Sequence, residues 1–211
     1  MPNTCSVLST SVSTKSWFSI KDEFIVLFQW RTTLWFSRFQ VRTMNEQTCC
    51  IDIDGVLNHY PQAWLRFLAT RGWHFSNQDA AKTRLTYKDY TDLKYTYRQS
   101  PEKRFQSPRV GAAEFTAKLT KRGYQVILKT SRPIHEHPHL VGWTHDWLKD
   151  HNFTFKETIF TRYHPTHPLS QYPNLTFIVD DNPDIIAPFK KLGVQALLFD
   201  GNFDKILDAL E

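Results

Sequence analysis

Residues 49 to 60, "CCIDIDGVLNHY", place Asp52 and Asp54 one residue apart directly after an apolar run. Two acids at the end of a buried strand cost several kcal/mol unless a positive partner sits between them. Further along, Thr130 and Ser131 close the apolar run "YQVILKT", and Asp180 and Asp181 close "LTFIVD". An acidic pair, a hydroxyl pair and a second acidic pair, each directly after an apolar strand, suit metal-assisted chemistry on a phosphate. Asp52, Asp180 and Asp181 would hold Mg²⁺, a hard cation that takes oxygen ligands. The cation would offset the carboxylate repulsion and neutralise a phosphate oxygen. A carboxylate nucleophile would then form an aspartyl phosphate, and a second carboxylate nearby would protonate the leaving oxygen and activate water.

The elements needed to position these residues are legible in the hydrophobic pattern. "TCCIDI" reads as a short buried strand, and "PQAWLRFLATRG" as a helix with Pro61 at its first position and Gly72 just past its end. "GAAEFTAKLTKRG" and "LVGWTHDWLKDH" read as helices flanking the strand "YQVILKT". The strands "TIFT" and "LTFIVD", the helix "PDIIAPFKKLG", the strand "VQALLFD" and a last helix complete the chain. Strands separated by helices of this length predict an α/β, Rossmann-like parallel sheet with helices on both faces. In such open sheets the ligand lies at the carboxyl ends of the strands, where all three polar clusters fall.

In this order the clusters carry a family resemblance. "DIDGVL" resembles the first motif of the haloacid-dehalogenase-like (HAD) phosphatases, "VILKTSRP" the second and "FIVDDNPD" the fourth. The resemblance spans Cys50 to Phe199. Within it, "SPRVGAAEFTAKLTKRGYQVILKTSRP" with "TIFTR" and "IVDDNPDI" is similar to the 5'(3')-deoxyribonucleotidases, and more distantly to the phosphatase domain of polynucleotide kinase-phosphatases. It implies Asp52 as nucleophile and Asp54 as general acid/base, with the Asp54 backbone carbonyl also on Mg²⁺. Thr130 and Ser131 would hold the phosphoryl oxygens, and Asp180 and Asp181 would complete the metal site. Asp184 offers a second spacing for the fourth motif. The third motif implies a cation, and Lys156 and His164 are its two candidates. A small helical cap is implied after the first strand, at about residues 60–108. It supplies Trp64, Trp73, Phe75, Tyr87, Tyr90, Tyr95 and Tyr97, and one or two of these rings stacked on a nucleobase would add roughly 1 to 3 kcal/mol each.

Composition bounds the partners. The net charge is +5, and residues 1 to 43 hold five basic side chains against two acids, leaving +2 for the rest. A small phosphorylated ligand, with a nucleoside monophosphate favoured, fits this balance better than an extended nucleic-acid surface. No apolar run is long enough to span a membrane. The three cysteines, Cys5, Cys49 and Cys50, suit a reducing, cytoplasmic compartment. Residues 1–43 are rich in Ser and Thr and stand apart from the 44–211 domain. They read as an organelle transit segment or as residues preceding a start at Met44. Seven of the nine histidines fall between residues 135 and 167, and His135, His137 and His139 alternate as zinc ligands could.

The sequence therefore predicts a Mg²⁺-dependent phosphomonoester hydrolase. A phosphatase of polynucleotide ends and a HAD-fold binding or regulatory protein without turnover are the alternatives.

Overall fold

The computed structural model describes residues 47–161, 169 and 171–211. Five strands form one parallel sheet in the order β3-β2-β1-β4-β5: β1 (Thr48–Asp52), β2 (Gln125–Thr130), β3 (Glu157–Phe160), β4 (Leu175–Asp180) and β5 (Gln195–Leu198). The central strand β1 is buried throughout, as its apolar run requires. Alternation divides its side chains between two layers. Cys49 and Ile51 pack with Phe115 and Leu119 of α5 (Ala112–Lys121), Trp147 and Leu148 of α6 (His139–Asp150), and Phe203 and Ile206 of α8 (Phe203–Asp208). Cys50 faces the other way, onto Ile186 and Phe189 of α7 (Pro183–Lys191). The expected helices on both faces are present.

Between β1 and β2 the chain leaves the sheet to build the cap. Its helices are α1 (Gln62–Ala69), α2 (Gln78–Arg84), α3 (Tyr87–Arg98) and α4 (Pro101–Arg104). The neck is closed by an antiparallel bridge between Asn58 and Pro108 and by the Arg109 amide donating to the Leu57 carbonyl at 2.8 Å. The insertion thus leaves and rejoins the sheet domain at Asn58 and Pro108. The cap has its own core of Trp64, Phe67, Leu68, Ala81, Leu85 and Tyr97. Local signals set its helix starts: the Asn77 side chain accepts the Ala80 amide, and Thr86 accepts the Asp89 amide. Of the seven cap aromatics, Trp64 and Tyr97 are buried in that core, whereas Trp73, Tyr87 and Tyr95 are exposed.

No helix among the described residues is long and apolar enough to cross a membrane. Residues 1–43 and His164 lie outside the described residues.

Candidate active site

The carboxyl ends of β1, β2 and β4 open into a pocket of about 690 Å³ roofed by the cap. Asp52 and Asp54 from the first strand end, Ser131 and Arg132 after β2, and Asp180 and Asp181 after β4 all line it. Thr130 is fully buried beside it, its hydroxyl donating to Asp54 Oδ2 at 3.3 Å. The cap contributes Tyr60, Lys94, Tyr97, Arg98 and Lys103.

One half of the pocket is acidic. Lys129 Nζ lies 2.8 Å from Asp180 Oδ2 and 3.7 Å from Asp52 Oδ1, all three side chains being largely buried. Lys129 is thus the positive partner that the first strand end demands. Desolvation holds the Asp52 carboxyl well above the usual carboxylate range; Lys129 opposes this and the Asp180 charge adds to it. Asp181 is pushed up to about 6 by desolvation and then by Asp180. Gly55 makes the close approach of Asp181 feasible. Its φ is +110°, and a Cβ there would stand 2.1 Å from Asp181 Oδ2.

The other half is basic. Arg132 grips Asp54 through two parallel bonds, Nε to Oδ2 at 2.8 Å and Nη2 to Oδ1 at 2.9 Å. Lys103 Nζ donates to Oδ1 at 2.9 Å, as does Asn58 Nδ2 at 2.8 Å. Desolvation alone would raise the Asp54 carboxyl, but Arg132 and Lys103 outweigh it and hold the group well below its usual range. In this arrangement Asp54 is a carboxylate, ready to accept a proton and not to give one.

Asp52, Asp180 and Asp181 carry three potential negative charges against one ammonium. Their hard oxygen donors and the remaining charge suit a divalent cation such as Mg²⁺. Among the described residues no three metal-binding side chains form a ready-made cage, and Lys129 occupies two of the acids. Asp184 stays apart, exposed in the first turn of α7, where its amide donates to the Asn182 side chain. The histidine cluster does not gather as a zinc site. His139 Nε2 meets the Arg98 carbonyl, and His135 is exposed.

Lys156 requires correction. It sits at the amino end of β3, exposed, with its amide on the Val126 carbonyl and its ammonium on Gln125 Oε1. That is the wrong end of a parallel sheet for this pocket. Among the described residues, the buried cations that contact the site's carboxylates are Lys129, Arg132 and Lys103. Arg132 and Lys129 flank the Thr-Ser pair in "KTSR", a position that could have flagged them. Lys103 carried no local signal, since only the folding of the cap brings it to Asp54.

No family model matches the chain, and no curated protein does. Several solved structures share its fold. A hydrolase from Streptococcus pneumoniae TIGR4 is 17% identical, with 78% of this chain and 100% of that chain covered, at a TM-score of 0.53. A predicted phosphoglycolate phosphatase from Haemophilus somnus 129PT is 16% identical, with 80% and 100% covered, at 0.53. A phosphonoacetaldehyde hydrolase-like protein from Oleispira antarctica is 14% identical, with 75% and 74% covered, at 0.51. The chain shares their fold, a Rossmann-like parallel sheet of HAD type with a helical insertion after the first strand.

Proposed function

We propose that the protein is a Mg²⁺-dependent phosphomonoester hydrolase acting through an aspartyl phosphate on Asp52, with a nucleoside monophosphate as the favoured substrate. The observation that carries this reading is the division of one pocket into an acidic half and a basic half, with Asp52 and Asp54 on opposite sides of the divide. Asp52, Asp180 and Asp181 would hold the metal, which would supply charge neutralisation for the phosphate and keep Asp52 ionised.

The chain's own groups do the rest. Arg132, Lys103 and the Thr130 hydroxyl point at Asp54 and bind the phosphoryl oxygens when a phosphate enters. Asp52 Oδ attacks phosphorus as the ester oxygen leaves. A bound phosphate draws away the two cations that hold Asp54 ionised and adds negative charge beside it. Both effects raise its pKa, so Asp54 takes up a proton from solvent as the substrate binds and delivers it to the leaving oxygen. The resulting carboxylate then accepts the proton of the water that hydrolyses the phosphoenzyme. The buried thiols of Cys49 and Cys50 are free, and a reducing, cytoplasmic setting suits them.

A panel of phosphomonoesters assayed with and without Mg²⁺ tests the proposal. Metal-dependent release of phosphate is expected, with activity abolished in Asp52→Asn because an amide cannot form the phosphoenzyme. Near-normal turnover by Asp52→Asn would overturn the covalent route.

A further inference from the structure

The buried cations are unevenly matched. Lys94, Lys103, Lys129 and Arg132 are each less than a tenth exposed. Lys129 faces Asp52 and Asp180, while Lys103 and Arg132 face Asp54. Lys94 has no carboxylate partner among the described residues. Its ammonium donates to the Tyr60 hydroxyl at 2.6 Å and is otherwise boxed by rings, with Trp64 at 4.3 Å, Tyr60 at 4.8 Å, Tyr90 at 5.7 Å and Tyr97 at 6.0 Å. Ring faces attract a cation, but they do not replace an acid or water for one taken out of solvent. An apolar side chain would fit such a box at lower cost.

Two further observations place a ligand there. Tyr97, 2% exposed, is one of the residues lining the same pocket, and its buried hydroxyl has no hydrogen-bond partner among the described residues. Buried polar atoms are nearly always satisfied, so an orphan on a pocket-lining residue marks a missing partner. Next along α3, Arg98 also lines the pocket, its guanidinium no nearer than 4.0 Å to the exposed Glu136. The one acid on that wall, Asp79, is exposed and paired with Lys82 at 3.5 Å. Arg132 and Lys103 already suffice for one phosphate, which leaves Lys94 and Arg98 in excess.

We propose that Lys94, with the Tyr97 hydroxyl and Arg98, forms a second anion subsite in the cap wall, which narrows the favoured substrate from a simple nucleoside monophosphate to a phosphomonoester bearing a further carboxylate or phosphate. The identity of the first group rests on the hydrolase reading above; the subsite does not. Burial, followed by the charges of Arg98 and Lys103, pushes Lys94 down to about 6. A second anion is the partner that would restore its charge.

Matched pairs test the subsite on the full-length protein: propyl phosphate against 2-carboxyethyl phosphate, and a nucleoside 5'-monophosphate against its 3',5'-bisphosphate. The doubly charged member should have the higher kcat/KM by about 10- to 100-fold, the worth of one hydrogen bond to a charged group. In Lys94→Met that ratio should fall towards one, mainly through KM, in a protein that melts no lower than the parent. Lys94→Gln gives the same comparison should the Met variant fail to fold. A ratio near one in the parent, or a ratio unchanged by either substitution, overturns the subsite. Should none of the four esters be hydrolysed, the hydrolase reading fails alone. Calorimetric binding of bisphosphate against monophosphate then decides the subsite: a preference lost in Lys94→Met supports it, and equal binding refutes it.

Discussion

A lysine between two buried aspartates changes what each can do. Lys129 opposes the desolvation and the Asp180 charge that raise the Asp52 carboxyl, so its loss would drive Asp52 further towards the protonated form, and a protonated Asp52 is no nucleophile. Lys129 is therefore the residue-scale condition for the proposed chemistry, in the role that Lys156 and His164 were expected to compete for. Lys129→Met should lower kcat/KM by about 100- to 1,000-fold, comparable to losing a preorganised donor. Lys156→Ala, altering an exposed side chain at the opposite end of the sheet, should leave kcat/KM unchanged. Equal loss in both variants, measured on one phosphomonoester with saturating Mg²⁺, would show that Lys129 has been given a role it lacks. The contrast also explains what was legible beforehand. Asp52, Asp54, Thr130, Asp180 and Asp181 could be read because each sits where an apolar run stops. Lys129 lies inside such a run and pairs in register with Asp52. There it reads as an interruption of a buried strand, unless the reach of its long side chain to the strand end is considered.

At the scale of elements, the segment from β2 to α6 buttresses the cap. His139 Nε2 meets the Arg98 carbonyl at 3.0 Å, and Trp147 Nε1 of α6 donates to the Gln106 carbonyl at 2.6 Å. The His137 ring packs on Tyr95 of α3 with centroids 4.7 Å apart. His137 is fully buried and neither ring nitrogen has a partner. Burial, then the charges of Arg98 and His139, hold its pKa below the ordinary 6.5. The unfolded chain therefore binds a proton more readily than the folded one. The stability linked to this group is present above about pH 6.5 and is lost as pH falls through the lower folded value. Melting temperatures at pH 7.5 and 5.5 should show a loss on acidification that is smaller in His137→Leu than in the parent. An identical loss in both would assign the acid sensitivity elsewhere. The histidine-rich stretch thus read as a candidate ligand set because its alternation was visible in sequence, whereas its packing against α3 was not. Helices α2 and α4 were illegible for a related reason: both are polar, and their apolar contacts come from other cap helices. The strands and the longer flanking helices, with their unbroken apolar runs, were plain.

For the whole molecule, the site is an electrostatic divide laid across a nearly neutral body. Residues 44 to 211 carry a net charge of only +2, yet the pocket sets Lys94, Arg98 and Lys103 of the cap, with Arg132 after β2, against Asp52, Asp54, Asp180 and Asp181 at the strand ends. A local field of this kind would recruit a small anion, as proposed, without making the surface broadly basic. Among the described residues, every strand of the sheet and every pocket-lining residue lies at or beyond Thr48. The three hydrophobic clusters that hold the sheet and cap begin at Cys49. Folding and catalysis should therefore be properties of residues 44–211, with residues 1–43 an extension. A chain beginning at Met44 should match the full-length protein in melting temperature and in kcat/KM, because it keeps every core and site residue among the described residues. A drop in melting temperature with turnover retained would make the extension part of the packed structure. Loss of turnover with melting unchanged would place one of its residues at the pocket.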